Sequence, residues 1–184
     1  MTKFSVTSPG INGLKVVQRQ RMGDSRGYFS RFYCAEELAA VGFTQAIAQI
    51  NQTLTRRRGS VRGLHFQRSP HAEDKFVSCL RGEVFDVAVD LRKGSPTFLQ
   101  WHAETLSADN ARSLFIPKGF AHGFQTLCDD VELLYLHTTP YVQTAEGGLN
   151  PLDPTLDIAW PLPFADVSDR DAAHPHLTPD FGGI

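Results

Sequence analysis

From about residue 60 onward the chain is written in short alternating runs broken by glycine and proline, and that rhythm leaves few folds open. Phe85, Val87, Val89 and Leu91 alternate with Val84, Asp86, Ala88 and Asp90, the period of a strand with two unlike faces. Val131, Leu133, Tyr135 and His137 share one face of a later run. Further short strands are expected at 97–105, 113–116 and 123–127, with Cys128-Asp129-Asp130 turning the chain into 131–139. Arg81-Gly82 reads as a tight turn that joins 75–80 and 83–91 into a hairpin. Helix signals are few: one short helix over 35–40, stopped near Gly42, and a turn capped by Ser168 ahead of Asp169-Arg170-Asp171. Many short strands at regular spacing predict a mainly β antiparallel sandwich or jelly roll, wide enough inside for a small ligand. No repeat or linker divides the 184 residues, so one domain over 1–184 is expected.

A formal net charge of −2 gives no general attraction to nucleic acid or to an anionic membrane, so any anion must be held locally. Arginines cluster at Arg19, Arg21, Arg26 and Arg31, and again at Arg56-Arg57-Arg58 with Arg62 nearby. The triplet reads as solvated loop charge. Arg62 differs, because it sits in a strand-like run beside His65. Cys34, Cys79 and Cys128 are far apart, and an odd count without a secretory leader points to reduced thiols in the cytoplasm. No stretch approaches transmembrane length.

The chemistry is concentrated in Val61-Arg62-Gly63-Leu64-His65-Phe66-Gln67 and in Lys75, which place a guanidinium, an imidazole and an ammonium along two neighbouring strands. His122 follows within 116–124, and Tyr135 within Leu133-Leu134-Tyr135. Acid–base groups beside an anion clamp suggest proton transfer on a negatively charged ligand, without redox or covalent chemistry. Imidazole titrates near working pH, which makes His65 the candidate base. A lone strand histidine is more often an ordinary polar residue; the reading gains from Arg62, Lys75, His122 and Tyr135 lying in similar elements that a barrel would gather. Lys75 is equally an enolate-stabilising cation or an edge-strand lysine that blocks aggregation. Tyr135 is a core aromatic or a proton donor. Strict alternation sets Arg62, Leu64 and Phe66 against Val61, Gly63, His65 and Gln67, so Arg62 and His65 fall on opposite faces. Either a bulge at Gly63 or an interior place for only one of them is needed.

The run Pro117-Lys118-Gly119-Phe120-Ala121-His122 fits the PxGxxH second motif of the cupin superfamily. The first motif of metal-binding cupins supplies His-x-His and a glutamate; here it reads His65-Phe66-Gln67, with His71 and Glu73 displaced, so no metal is expected. DSRGYF (24–29), QIN (49–51), RGLHFQ (62–67), Lys75, DVAVDLR (86–92), SPTF (95–98), IPKGFAHGF (116–124), DP (153–154), IAWP (158–161) and SDRD (168–171) complete the pattern. Together they resemble the dTDP-4-dehydrorhamnose 3,5-epimerase family, homodimeric cupin jelly rolls, in order from about residue 10 to residue 177.

The resemblance implies cofactor-independent epimerisation of a dTDP-linked 4-keto-6-deoxyhexose. It makes His65 the base, oriented by Asp171, and Tyr135 the proton donor on the other sugar face. Arg62 resembles the grip on the diphosphate, with Arg26 reaching in from the partner subunit by exchange of N-terminal segments. Lys75 and His122 would surround the 4-keto group, Gln49, Asn51 and Glu146 would contact the nucleotide, and Tyr141 would stack on the thymine. Three departures stand out. Arg31 replaces a common glutamate at a nucleotide contact, Arg170 replaces the lysine before Asp171, and the 51–62 segment is one residue longer. Other readings stay open: an epimerase acting at one carbon, a metal-dependent cupin using His65, His71, Glu73 and His122, or a sugar-binding jelly roll without activity.

Overall fold

The computed structural model describes residues 2–184. The N-terminal part runs through β1 (Phe4–Thr7), β2 (Lys15–Arg19), β3 (Arg21–Asp24), β4 (Gly27–Ser30) and α1 (Ala35–Ala39). The central strands are β5 (Gln49–Thr55), β6 (Ser60–Gln67), β7 (Lys75–Arg81), β8 (Glu83–Asp90), β9 (Trp101–Ser107) and β10 (Arg112–Ile116). They are followed by β11 (Phe120–Thr126), β12 (Val131–His137), β13 (Glu146–Gly148), β14 (Asp166–Val167) and α2 (Asp169–Ala172).

One six-stranded sheet has the order β1-β2-β10-β7-β12-β5 and the other β13-β6-β11-β8-β9, with β14 paired to β6. These two main sheets form the expected jelly roll. Val77, Leu114 and Leu133 of the first sheet meet Val84, Ala88, Leu106 and Phe124 of the second in one buried cluster. The reverse face of β8 is also buried, because Val87 and Val89 lie under Leu156, Ile158 and the partly buried Trp160. Both phases of the 83–91 alternation are therefore inside, and the inward phase carries Asp86.

Two expectations change. Residues 75–80 and 83–91 do not form a hairpin: β7 pairs with β10 and β12, whereas β8 pairs with β9 and β11. Gly82 has φ +76°, and a Cβ there would meet Cys128 Sγ at 2.8 Å and Val131 Cγ2 at 3.0 Å. Such a tight corner carries the chain from one sheet to the other. The strand expected over 97–105 begins only at Trp101. The Asp90 carboxylate accepts hydrogen bonds from Arg92, Ser95 and Thr97 and holds the intervening chain in turns.

The ambiguity at Gly63 resolves as a bulge. His122 is opposite His65 but Phe124 is opposite Arg62, so two steps on β11 face three on β6. Gly63 has φ +119°, and a Cβ would fall 2.5 Å from the Gly123 Cα. Only glycine fits this conformation and this approach.

The β3–β4 hairpin stands apart as its own two-stranded sheet. It leaves Tyr28 61% and Phe29 59% exposed. No helix among the described residues is long and apolar enough to cross a membrane.

Candidate active site

A cavity of about 250 Å³ opens between the sheets, lined by Arg62 and His65 of β6 and His122 of β11, with Lys75 of β7 and Tyr135 and His137 of β12. The two strands that carry His65 and Lys75 are thus not sheet neighbours; they belong to opposite sheets. Lys75 is not an edge residue either, because β7 lies between β10 and β12.

His65 Nε2 is 2.7 Å from Asp171 Oδ1, while the other oxygen of Asp171 accepts the Gly63 N–H at 3.1 Å. Asp171 is held in α2, where its own N–H donates to the capping Ser168 hydroxyl at 3.1 Å. Burial acts to raise the Asp171 carboxyl, but the bonds from His65 and Gly63 and the nearby Arg170 charge hold it well below the usual carboxylate range. An Asp171 ionised at neutral pH fixes Nε2–H as the donor and leaves Nδ1 with the free lone pair. Arg170 bridges outward: Nη2 lies 3.2 Å from His65 Nε2, and Nη1 donates to Glu146 at 3.3 Å.

The opposite wall is built on Tyr135. Burial pushes its phenol above the ordinary range, with the Asp86 charge adding to the rise and Arg62 opposing it. Its ring lies 6.1 Å from the His122 ring and 6.0 Å from the His137 ring, stacked on the latter. His122 Nε2 is 2.8 Å from Asp86 Oδ1, both residues being buried. Lys75 Nζ lies 3.2 Å from Glu73 Oε1 and donates to the His65 carbonyl at 3.3 Å. Burial favours a neutral Glu73, but His137 and Lys75 together keep its pKa below the ordinary value.

The mouth of the cavity is a hydrogen-bonded rim. The Tyr141 N–H donates to Gln49 Oε1 at 3.0 Å, Gln49 donates to Asn51 at 3.1 Å, and the Tyr141 hydroxyl donates to Glu146 at 3.0 Å. Tyr141 is 52% exposed. Every expected site residue is therefore in or around this cavity except two. Arg26 is exposed on the β3–β4 hairpin and paired with Asp24, and Arg31 is paired with Glu37 of its own chain. The Arg56-Arg57-Arg58 loop is exposed, as expected, and its Arg58 N–H donates to Asp129 at 2.7 Å.

Sequence reasoning missed Asp86 as the partner of His122, His137 as part of the wall, and His174 beside the His65–Asp171 pair. His137 had a signal, since it shares the face of Val131, Leu133 and Tyr135; Asp86 had little, because it lies opposite the more apolar phase of Phe85, Val87, Val89 and Leu91. His174 had none, because it lies in an irregular segment. The metal set His65, His71, Glu73 and His122 is not assembled; among the described residues the donors that converge are His65, Asp171 and His174.

Comparison with known proteins follows the same line. The sequence profile of the dTDP-4-dehydrorhamnose 3,5-epimerase family matches residues 8–179. The dTDP-4-dehydrorhamnose 3,5-epimerase of Salmonella typhimurium is 43% identical over 176 residues, covering 94% of this chain and 94% of that protein. The crystal structure of the Bacillus anthracis dTDP-4-dehydrorhamnose 3,5-epimerase with TDP and PPi bound superposes with a TM-score of 0.92 at 38% identity, covering 95% of this chain and 99% of that one. A Legionella pneumophila dTDP-6-deoxy-D-glucose-3,5-epimerase in complex with dTDP-4-keto-L-rhamnose gives 0.90 at 40% identity, over 94% of this chain and 92% of that one.

Proposed function

The chain belongs to the dTDP-4-dehydrorhamnose 3,5-epimerase family, and from that premise we propose how its own residues divide the work. The reaction is epimerisation of dTDP-4-dehydro-6-deoxy-D-glucose at C3 and C5 to dTDP-4-dehydro-L-rhamnose. One observation carries the assignment: His65 and Tyr135 rise from opposite sheets into one cavity.

The ketone at C4 acidifies the protons at C3 and C5. His65 takes one of them through Nδ1 and becomes imidazolium, which the ionised Asp171 stabilises. The C–H electron pair moves into an enolate whose negative charge develops on the C4 oxygen. The Lys75 ammonium supplies the fixed cation, and His122, held by Asp86, a hydrogen-bonding edge beside it. A preorganised donor to such an oxyanion is worth roughly 2.7–4 kcal/mol. Tyr135, neutral because burial raises its pKa, then gives its proton to the carbon from the other face and inverts the centre. Both groups recover their starting states by exchange with solvent, and the sequence repeats at the second carbon.

The remote part of the substrate holds the sugar in register. Arg62 and Arg170 face the diphosphate, for which a planar guanidinium is suited. Tyr141 stacks on the thymine, with Gln49, Asn51 and Glu146 around it. The exposed β3–β4 hairpin fits exchange in a homodimer, with Arg26 and Arg31 serving the neighbouring copy's cavity. One cupin-type domain over residues 1–184 and a cytoplasmic setting for the three free thiols complete the reading.

Incubation with dTDP-4-dehydro-6-deoxy-D-glucose in heavy water, followed by proton NMR of the sugar, tests the reaction. Deuterium is expected at both C3 and C5. Label at one carbon would make the protein a single-carbon epimerase, and label at neither would end the proposal.

A further inference from the structure

His174 follows α2 and has no part in the scheme above. Its Nε2 is buried with no hydrogen-bond partner among the described residues, although buried polar atoms are almost always paired. The ring lies flat on Gly148: a Cβ there would come within 2.2 Å of Nε2 and 2.4 Å of both flanking ring carbons. Those near-equal distances put Gly148 under the ring face, so the in-plane lone pair of Nε2 points sideways. Gly148 is also the register partner of His65. His174 Nε2 is accordingly 3.9 Å from Asp171 Oδ1, which is 2.7 Å from His65 Nε2, and the three donor atoms lie within 4.8 Å of one another.

We infer that His65, Asp171 and His174 form a capture site for a divalent transition metal such as zinc, and that occupancy stops turnover. Two imidazole nitrogens and one carboxylate oxygen, with a fourth position open to water, match the donor set of zinc. Tetrahedral bonds of about 2.0–2.1 Å place ligand atoms roughly 3.3 Å apart, so the three donors need shift by only about an ångström.

Arg170 is the cation that faces this site, with Nε 3.4 Å from Asp171 Oδ1 and Nη2 3.2 Å from His65 Nε2. Its side chain is 56% exposed and already paired with Glu146, so it can withdraw to that partner when a metal enters. The set differs from the one expected of metal-binding cupins, because it uses the tail of the chain and neither His71 nor His122.

The effect on turnover rests on the assignment of His65 as the base. A metal on Nε2 takes the lone pair there, and the neutral ring must then carry its proton on Nδ1. That is the nitrogen the reaction needs free. Metal binding and proton abstraction are therefore mutually exclusive.

Chelator-treated protein titrated with Co²⁺ should develop the visible bands of a four-coordinate site at one equivalent per chain. Zinc should stop deuterium incorporation into the sugar, and EDTA should restore it. His174→Ala and His174→Gln, each compared with its own metal-free rate, should both raise the half-inhibitory zinc concentration at least about tenfold. Arg170→Ala should bind cobalt more tightly than the parent. Absence of stoichiometric bands, or unchanged metal affinity in both His174 variants, would overturn the site. Stoichiometric cobalt with undiminished turnover would overturn the switch and the role of His65 together. A protein that binds cobalt through His174 yet does not label the sugar would sink the functional reading and leave the metal site standing.

Discussion

His65 and Asp171 meet at 2.7 Å although they are 106 positions apart in the chain, and the oxygen of Asp171 not used by His65 is bonded to the Gly63 N–H. The carboxylate thus ties His65 to the very residue that bends its strand. Replacing Asp171 by Asn keeps the shape but allows the wrong imidazole tautomer, and kcat should fall by about 10²–10⁴. Deuterium wash-in rates for parent and variant check this.

The same substitution makes a pH-dependent stability difference. The folded pKa of Asp171 is depressed, so its contribution is full above the ordinary aspartate value and is lost as pH falls through the folded value. The parent should be more stable than Asp171→Asn at pH 7, and the gap should narrow below about pH 4. Urea unfolding of both proteins at pH 7 and at pH 3.5 measures it; a gap that widens in acid contradicts the assignment.

Tyr135→Phe should keep dTDP affinity within about twofold and lose most turnover, at least about 10²-fold, as expected for removal of a positioned acid. In the parent, the raised phenol pKa keeps Tyr135 protonated past its ordinary value of about 10. No loss of kcat from Tyr135 ionisation is expected below that pH, which a rate profile against pH, compared between the two proteins, will show.

Arg62→Ala should act on binding instead. Its guanidinium lines the cavity, and loss of the diphosphate grip should weaken dTDP by about 1.5–3 kcal/mol, or roughly 10- to 150-fold, by calorimetry. Equal loss of dTDP affinity in His65→Ala, Tyr135→Phe and Arg62→Ala would refute this division of labour.

The hairpin carrying Tyr28 and Phe29 should bury those rings in a second copy. Tyr28→Ser with Phe29→Ser is expected to shift sedimentation from dimer toward monomer and to lower turnover in step with dissociation. A monomeric parent with full activity would refute the exchange.

Much of this architecture could be read in advance. The alternation of 131–137 put Tyr135 and His137 on one face, and that of 83–91 separated two faces; that the less apolar of these, with Val84, Asp86 and Ala88, is the one between the sheets came only from the structure. Alternation assigns a side chain to a face but names no partner strand, which is why 75–80 and 83–91 were expected to pair when Gly82 sends them to different sheets. The turns at Ser95 and Thr97 were hidden because they depend on side-chain hydrogen bonds back to the Asp90 carboxylate, which apolar alternation does not report. Lys75 looked like either an edge lysine or a site cation until β10 and β12 enclosed its strand. The joining of Arg170, Asp171 and His174 to His65 depends on the C-terminal segment folding back over β6. No local pattern carries that information.

The extra residue in β6 has a consequence for how such a site can change. Arg62 and His65 line one cavity because the ladder skips a position between them. No exchange of side chains at those two positions could separate them, whereas removing one residue at 63 or 64 would rotate everything on one side of the gap by half a turn. Here the distance along the chain, counted in whole residues, is itself a functional group.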